Sequence, residues 1–144
     1  MLFANKHEML SQIEGRSLKM MHLFHGTRKY PPNAVYDSTT CLDPRFGHGA
    51  WGQGTYYARN SFYSVDRYGH KLPDGTQQIF CMLVIVGDTA DMPHTQATEA
   101  LVRPPLKQGT NSLFHSVKGS EGGSDIYVTY EPNMSYPDYL ITFR

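Results

Sequence analysis

Gly54-Thr55-Tyr56-Tyr57-Ala58-Arg59-Asn60-Ser61 lies near the middle of a 144-residue chain, and its reading decides the fold. Residues 54–58 predict a short strand. Asn60 or Ser61 then offers a cap for a helix reaching about Tyr68. Upstream, residues 20–25 predict a strand that runs into Leu23-Phe24-His25-Gly26-Thr27. Before it, residues 5–14 predict a helix with Met9, Leu10 and Ile13 on one face and Gly15 at its end. Between these elements, residues 28–53 are rich in Pro, Gly, Asp, Ser and Thr and predict a long connection, of the kind that is often functional.

Downstream, Pro73-Asp74-Gly75 centres a turn over 69–75. Residues 78–86 form an almost unbroken apolar run, predicting a central strand buried on both faces. Residues 88–111, with Pro93, Pro104 and Pro105, predict loop. Strands are predicted at 112–117, 125–130 and 139–143, with a flexible turn at 119–124. Many short strands, few helices and long loops make one α+β domain, residues 1–144, built on mostly antiparallel sheet.

Composition narrows the function. A chain that is 40% hydrophobic and 12% aromatic fills a core. Thirteen Lys+Arg balance thirteen Asp+Glu, which argues against bulk nucleic-acid binding. Cys41 and Cys81 form no Cys-x-x-Cys pair, so no structural zinc site or other metal is expected. They read as two free thiols, with a disulfide the open alternative. No apolar run reaches the roughly 20 residues that span a bilayer. The expectation is an intracellular, cytoplasmic or nuclear monomer without membrane partners.

The residues that carry chemistry are aromatic and hydroxyl-bearing. Tyr56, Tyr57 and Tyr68 offer ring faces, and Ser64 offers a donor. Gly26 allows close backbone approach, so its N–H and C=O can pair with an amide. His25 and Thr27 are placed to bond a ribose. Together they suit a planar carboxamide-bearing ring and its sugar, which points to NAD as co-substrate. The bland alternatives are core tyrosines and a core or surface histidine. Gly47 to Gly54 is glycine-rich without a Walker or Rossmann pattern, and reads as a backbone approach to pyrophosphate or as a mobile surface turn. His22 and His25, three apart on a strand, face opposite sides and make no metal pair.

This ordered set resembles the catalytic domain of the poly(ADP-ribose) polymerase superfamily, the diphtheria-toxin-like ADP-ribosyltransferases. Leu23-Phe24-His25-Gly26-Thr27 is similar to the family's His-Gly-Ser/Thr strand. Gly52-Gln53-Gly54-Thr55-Tyr56-Tyr57-Ala58 is similar to its Gly-x-Tyr-Phe-Ala segment, and residues 130–143 to its closing strands. The resemblance implies an α+β ADP-ribosyltransferase fold: a mostly antiparallel split β-sheet core with short flanking helices. It implies that His25 binds the adenosine-proximal ribose and Gly26 the carboxamide. Ser64 would donate to the carboxamide oxygen, and Tyr56 and Tyr68 would flank the ring. It also implies a donor loop around 37–50 and an acceptor loop at 118–125.

One position departs. Where polymerising members carry glutamate, this chain has Ile126, so its catalytic positions read His25, Tyr56, Ile126. That resembles the mono-ADP-ribosyltransferase members. It implies transfer of one ADP-ribose to protein side chains, the chain's own included, by a dissociative route in which an acidic acceptor supplies the missing charge. Two neighbours are candidates to replace the carboxylate: Asp125, which alternation turns to the opposite face unless a bulge intervenes, and Glu121 in the flexible turn. The other readings are an inactive NAD- or ADP-ribose-binding module and a transferase acting on nucleic-acid ends. The expected enzyme is either a trimmed chain or a minimal stand-alone one.

Overall fold

The computed structural model describes residues 1–38 and 42–144. Helix α1 (Leu2–Glu14) ends at Gly15, whose backbone is left-handed (φ 73°) as a glycine C-cap requires. The face it buries is not the expected one. Phe3 and Leu10 pack with Leu18, Ile85 and Met134, while Met9 and Ile13 are exposed. The helix begins three residues before the predicted start, and Phe3 sets the buried stripe. His7 shares that side and bonds the Leu18 carbonyl at 2.8 Å.

The chain then forms β1 (Met20–His25), α2 (Asn33–Tyr36) and a 3-10 turn at Pro44–Phe46. A small hairpin, β2 (His48–Gly49) and β3 (Gly52–Gln53), precedes β4 (Thr55–Ala58) and α3 (Ser61–Tyr68). The remaining strands are β5 (His70–Lys71), β6 (Gln77–Ile85), β7 (Thr89–Asp91), β8 (Ser116–Glu121), β9 (Ser124–Thr129) and β10 (Ser135–Phe143). The main sheet runs β10-β6-β1-β4-β9-β8-β7, with β5 also on β6. Every pairing is antiparallel except β7 with β8, so the expected α+β, mostly antiparallel architecture is the one observed.

The apolar run becomes β6, covered on both faces. Phe80, Met82 and Val84 enter a core with Leu23, Val35, Tyr57, Val86 and Tyr127, while Ile85 packs on α1. A second core, Trp51, Ala58, Tyr63, Val117, Ile126 and Val128, fills another region. The sheet is nearly divided between β1 and β4. β1 pairs with β6 along its length, yet meets β4 only at Phe24↔Ala58.

Two strand expectations shift. β7 forms within the segment expected to be loop. β8 covers 116–121 rather than 112–117, so the expected 119–124 turn shrinks to Gly122-Gly123. Both glycines have positive φ (58° and 80°), the conformation a two-residue hairpin needs. The expected acceptor loop at 118–125 is therefore the tip of a β-hairpin. Cys81 is free and half-buried, and Cys41 lies outside the described residues. Among the described residues no helix is long and apolar enough to cross a membrane.

Gly119 lies opposite Ile126, and any Cβ there would fall within the Trp51 ring. Gly119→Ala is expected to destabilise the protein by roughly 1–3 kcal/mol through overpacking, read as a lower urea midpoint at unchanged slope.

Candidate active site

β1 delivers His25 at the point where the sheet divides. Its Nδ1 donates to the Tyr56 carbonyl (2.7 Å), and its ring lies 5.9 Å from that of Tyr57. A carbonyl only accepts, so Nδ1 carries the proton and Nε2 presents a lone pair. Burial also lowers the His25 pKa from 6.5, against a smaller upward pull from the Tyr56 carbonyl. The ring is thus neutral near pH 7, with Nε2 an acceptor suited to a hydroxyl group.

Gly26 is a glycine for a steric reason. A Cβ would strike the Tyr68 backbone, whose carbonyl accepts from the Arg28 N–H at 2.8 Å. This contact seats β1 against the end of α3. Thr27 is committed locally, since its hydroxyl donates to the Tyr30 carbonyl (2.7 Å). A ribose contact would have to displace that bond.

On α3, Ser64 and Tyr68 are four residues apart and share a side. Ser64 is 2% exposed, and its hydroxyl makes no hydrogen bond to another described residue. Asn60 occupies the N-cap without a side-chain cap bond, its own N–H being taken by Ser124 Oγ (3.1 Å). The Tyr68 ring abuts Tyr63 (5.7 Å between centroids) and carries the Arg28 guanidinium 4.4 Å from its centre. A pyridinium would have to use the face Arg28 leaves free.

The two central tyrosines do different work. Tyr56 accepts from the Trp51 N–H (2.9 Å) and donates to the Gly52 carbonyl (2.7 Å), tying β4 to the β2–β3 hairpin. Burial, with the Glu121 and Tyr68 charges adding, pushes its pKa up to about 12, so it stays a donor. Tyr57 corrects the sequence reading. It is 2% exposed, with its hydroxyl on Ser135 (3.0 Å) and Thr129 (3.3 Å), so it is a core residue rather than a ligand wall. Alternation sends it to the opposite face from Tyr56.

Ile126 pairs with Ala58 and Gly119 and is 1% exposed, packed among Trp51, Tyr63, Val117 and Val128. Asp125 is exposed on the other face, as alternation requires. The glycine-rich stretch carries the β2–β3 hairpin. It is anchored at Trp51, which is fully buried and whose indole N–H donates to the Met92 carbonyl (2.8 Å). Sequence reasoning missed Trp51 and Tyr63. The lone tryptophan between glycines was the available signal for the first.

Two cavities lie near these elements. One of ≈ 260 Å³, lined by Arg28, Lys29, Gly69, His70 and Lys71, adjoins the Gly26–Tyr68 contact. A larger one of ≈ 640 Å³ lies between Lys19, Asp88, Lys118 and Tyr127. Neither Tyr56 nor Ser64 lines it, and Asp88 on its wall is paired with Arg16 and Lys107. Among the described residues no cluster of His, Cys, Asp or Glu could hold a metal.

Three outcomes follow from this geometry. Tyr56→Phe leaves the Trp51 N–H and Gly52 carbonyl without a partner and should cost about 1–3 kcal/mol in urea unfolding. Ile126→Glu puts an unpaired carboxylate in an apolar core and should cost about 3–5 kcal/mol, so that the variant melts well below the parent. For His25 the unfolded chain binds the proton more readily. Its contribution is therefore present above about pH 6.5 and is lost as pH falls toward the lower folded pKa. Urea midpoints from pH 8 to 5 should fall more steeply for the parent than for His25→Gln.

Comparison with known proteins agrees with the fold. No protein-family model matches the chain. The chain is 31% identical over 140 residues to protein mono-ADP-ribosyltransferase PARP12 of Mus musculus, covering 96% of this chain and 19% of that protein. A probable poly [ADP-ribose] polymerase of Dictyostelium discoideum is 33% identical over 124 residues, 85% of this chain and 33% of that protein. Protein mono-ADP-ribosyltransferase PARP14 of Homo sapiens is 27% identical over 150 residues, 96% of this chain and 8% of that protein. The chain thus spans a third or less of the length of each of these relatives. Sequence likeness over nearly the whole chain, on a mostly antiparallel α+β sheet, places this protein among the poly(ADP-ribose) polymerase-like ADP-ribosyltransferases.

Proposed function

We propose that residues 1–144 form one catalytic domain that transfers a single ADP-ribose from NAD to protein side chains and releases nicotinamide. The observation that carries this reading is the pairing of a neutral His25 with a buried Ile126. The group that would hold a ribose hydroxyl is present, while the position that bears glutamate in polymerising members is sealed in an apolar core. The relatives named as mono-ADP-ribosyltransferases support the same class.

In this reading His25 Nε2 accepts from a ribose hydroxyl. Gly26 brings backbone N–H and C=O to the carboxamide, and the Ser64 hydroxyl donates to its oxygen. Tyr68 lines the ring from α3, and Tyr56 holds the glycine-rich hairpin in place beside it. The bond from C1′ to the pyridinium nitrogen breaks and its electron pair leaves with nicotinamide. An acceptor oxygen then bonds C1′. The domain's share is positioning and electrostatics.

Incubation of the chain with radiolabelled NAD and a denaturing gel tests this. A discrete labelled band, with nicotinamide released in step, is the expected result. A smear would mean polymer. Bound NAD without label or nicotinamide would mean a binding module. His25→Ala should lower labelling by about a hundredfold through lost substrate positioning.

A further inference from the structure

The hairpin β8–β9 places a carboxylate where the Ile126 position has none. Gly119 is directly opposite Ile126, and Glu121 is opposite Ser124. Residues paired across strands point to one face, so Val117, Gly119, Glu121, Ser124 and Ile126 share a side. That side is the one where Val117 and Ile126 pack with Trp51 and Tyr63. Glu121 is thus the diagonal neighbour of Ile126 on the next strand. Such neighbours lie about 7–8 Å apart, within reach of a long side chain.

The carboxylate is aimed by a specific contact. Tyr63 reaches from α3, is itself buried in that cluster, and donates its hydroxyl to Glu121 Oε2 at 2.8 Å. Tyr63 also abuts Tyr68. Glu121 has no cationic partner among the described residues, although the Arg67 guanidinium lies 4.9 Å over the Tyr63 ring. One carboxylate oxygen is therefore oriented by Tyr63, and the other is uncommitted. The residue is at the last position of a strand whose tight Gly122-Gly123 turn fixes its direction. Asp125, the other neighbouring acid, faces away and offers none of this.

From this placement we infer that Glu121 is a general base for hydroxyl acceptors, so that the domain modifies serine-type side chains as well as acidic ones. The inference rests on the transferase reading above. In the step, the acceptor O–H gives its proton to Glu121 as its oxygen bonds C1′. The C1′–N bond breaks, the electron pair leaves with neutral nicotinamide, and Glu121 returns the proton to water. An acidic acceptor arrives already ionised and needs no base. Glu121 therefore sets the balance between the two acceptor classes.

The test uses the full chain, labelled NAD and two synthetic peptides that differ only in carrying one serine or one glutamate. The readout is the serine-to-glutamate labelling ratio, which is internal to whatever fraction of protein is folded. Glu121→Gln keeps an oxygen to accept from Tyr63 but loses the base, and should lower that ratio about tenfold or more. Tyr63→Phe, which frees the carboxylate, should lower it by a smaller factor. A ratio that changes less than about tenfold in Glu121→Gln would make Glu121 a structural strut and overturn the inference. So would a parent protein that labels the glutamate peptide and never the serine one, and that result would leave the transferase reading standing. A parent that labels neither peptide and releases no nicotinamide overturns both.

Discussion

The site depends on how one indole is held. Trp51 is fully buried, and three of its polar groups are satisfied from three directions. Its ring N–H donates to Met92, its backbone N–H to Tyr56 Oη, and its carbonyl accepts from Tyr130 Oη at 2.7 Å. Burying any of these groups unpaired costs about 1–3 kcal/mol, so the three bonds specify a single position for the ring. Gly119 leaves room for that ring on β8. Gly52, at φ 83°, lets the hairpin backbone run against Leu101. Glycines that suggested mobility are used here for close packing between backbones.

Fixing Trp51 orders the rest of that face. Tyr56 is committed to the hairpin through both roles of its hydroxyl, so its ring direction is set before any ligand arrives. Ile126 completes the same packing, at the position that the family resemblance matches to the glutamate of polymerising members. An ionised group there would lose solvation with no partner nearby. The chain has made that position part of its core, and the nearest carboxylate on that face now belongs to the neighbouring strand. His25 lies on the opposite side of the strands and meets Tyr56 only through a backbone carbonyl. The link between the two is a hydrogen bond between strands where the sheet has almost come apart.

Much of this was legible in the sequence because local chemistry and tertiary context agree. The 78–86 run, the strand ending at His25, the helix after Asn60 and the Gly15 stop were all readable from residue type and spacing. The failures have physical causes. Met9 and Ile13 follow helical spacing, but Phe3 lies outside the predicted helix and claims the inner face. Tyr57 carries a hydroxyl like Tyr56, and only strand alternation with Ser135 and Thr129 behind it makes it core. β8 starts four residues later than expected and runs on through Gly119-Ser120-Glu121, which read as turn by composition. Two glycines at positive φ suffice for that turn, and they release Glu121 to the strand.

Net charge is the weakest guide, since what acts on a ligand is the local field. Opposite charges cancel away from the site: Lys6 with Glu131, Arg45 with Asp43, Lys118 with Asp91, and Arg16 and Lys107 with Asp88. Arg28, Lys29, Arg67 and Lys71 have no carboxylate partner among the described residues. Three of the four line the cavity beside Gly26 and Tyr68, and the fourth overhangs Tyr63 on the same helix. A chain with zero net charge therefore still presents a cationic mouth. In the proposed function that mouth would attract an anion such as a pyrophosphate or an ionised acceptor. In the proposed reaction, Arg28 on the Tyr68 ring would oppose a positively charged pyridinium and accommodate the neutral nicotinamide left after C1′–N cleavage. On that reading the same cation would favour the cleaved state of the ring over the intact one, the direction in which the proposed reaction runs.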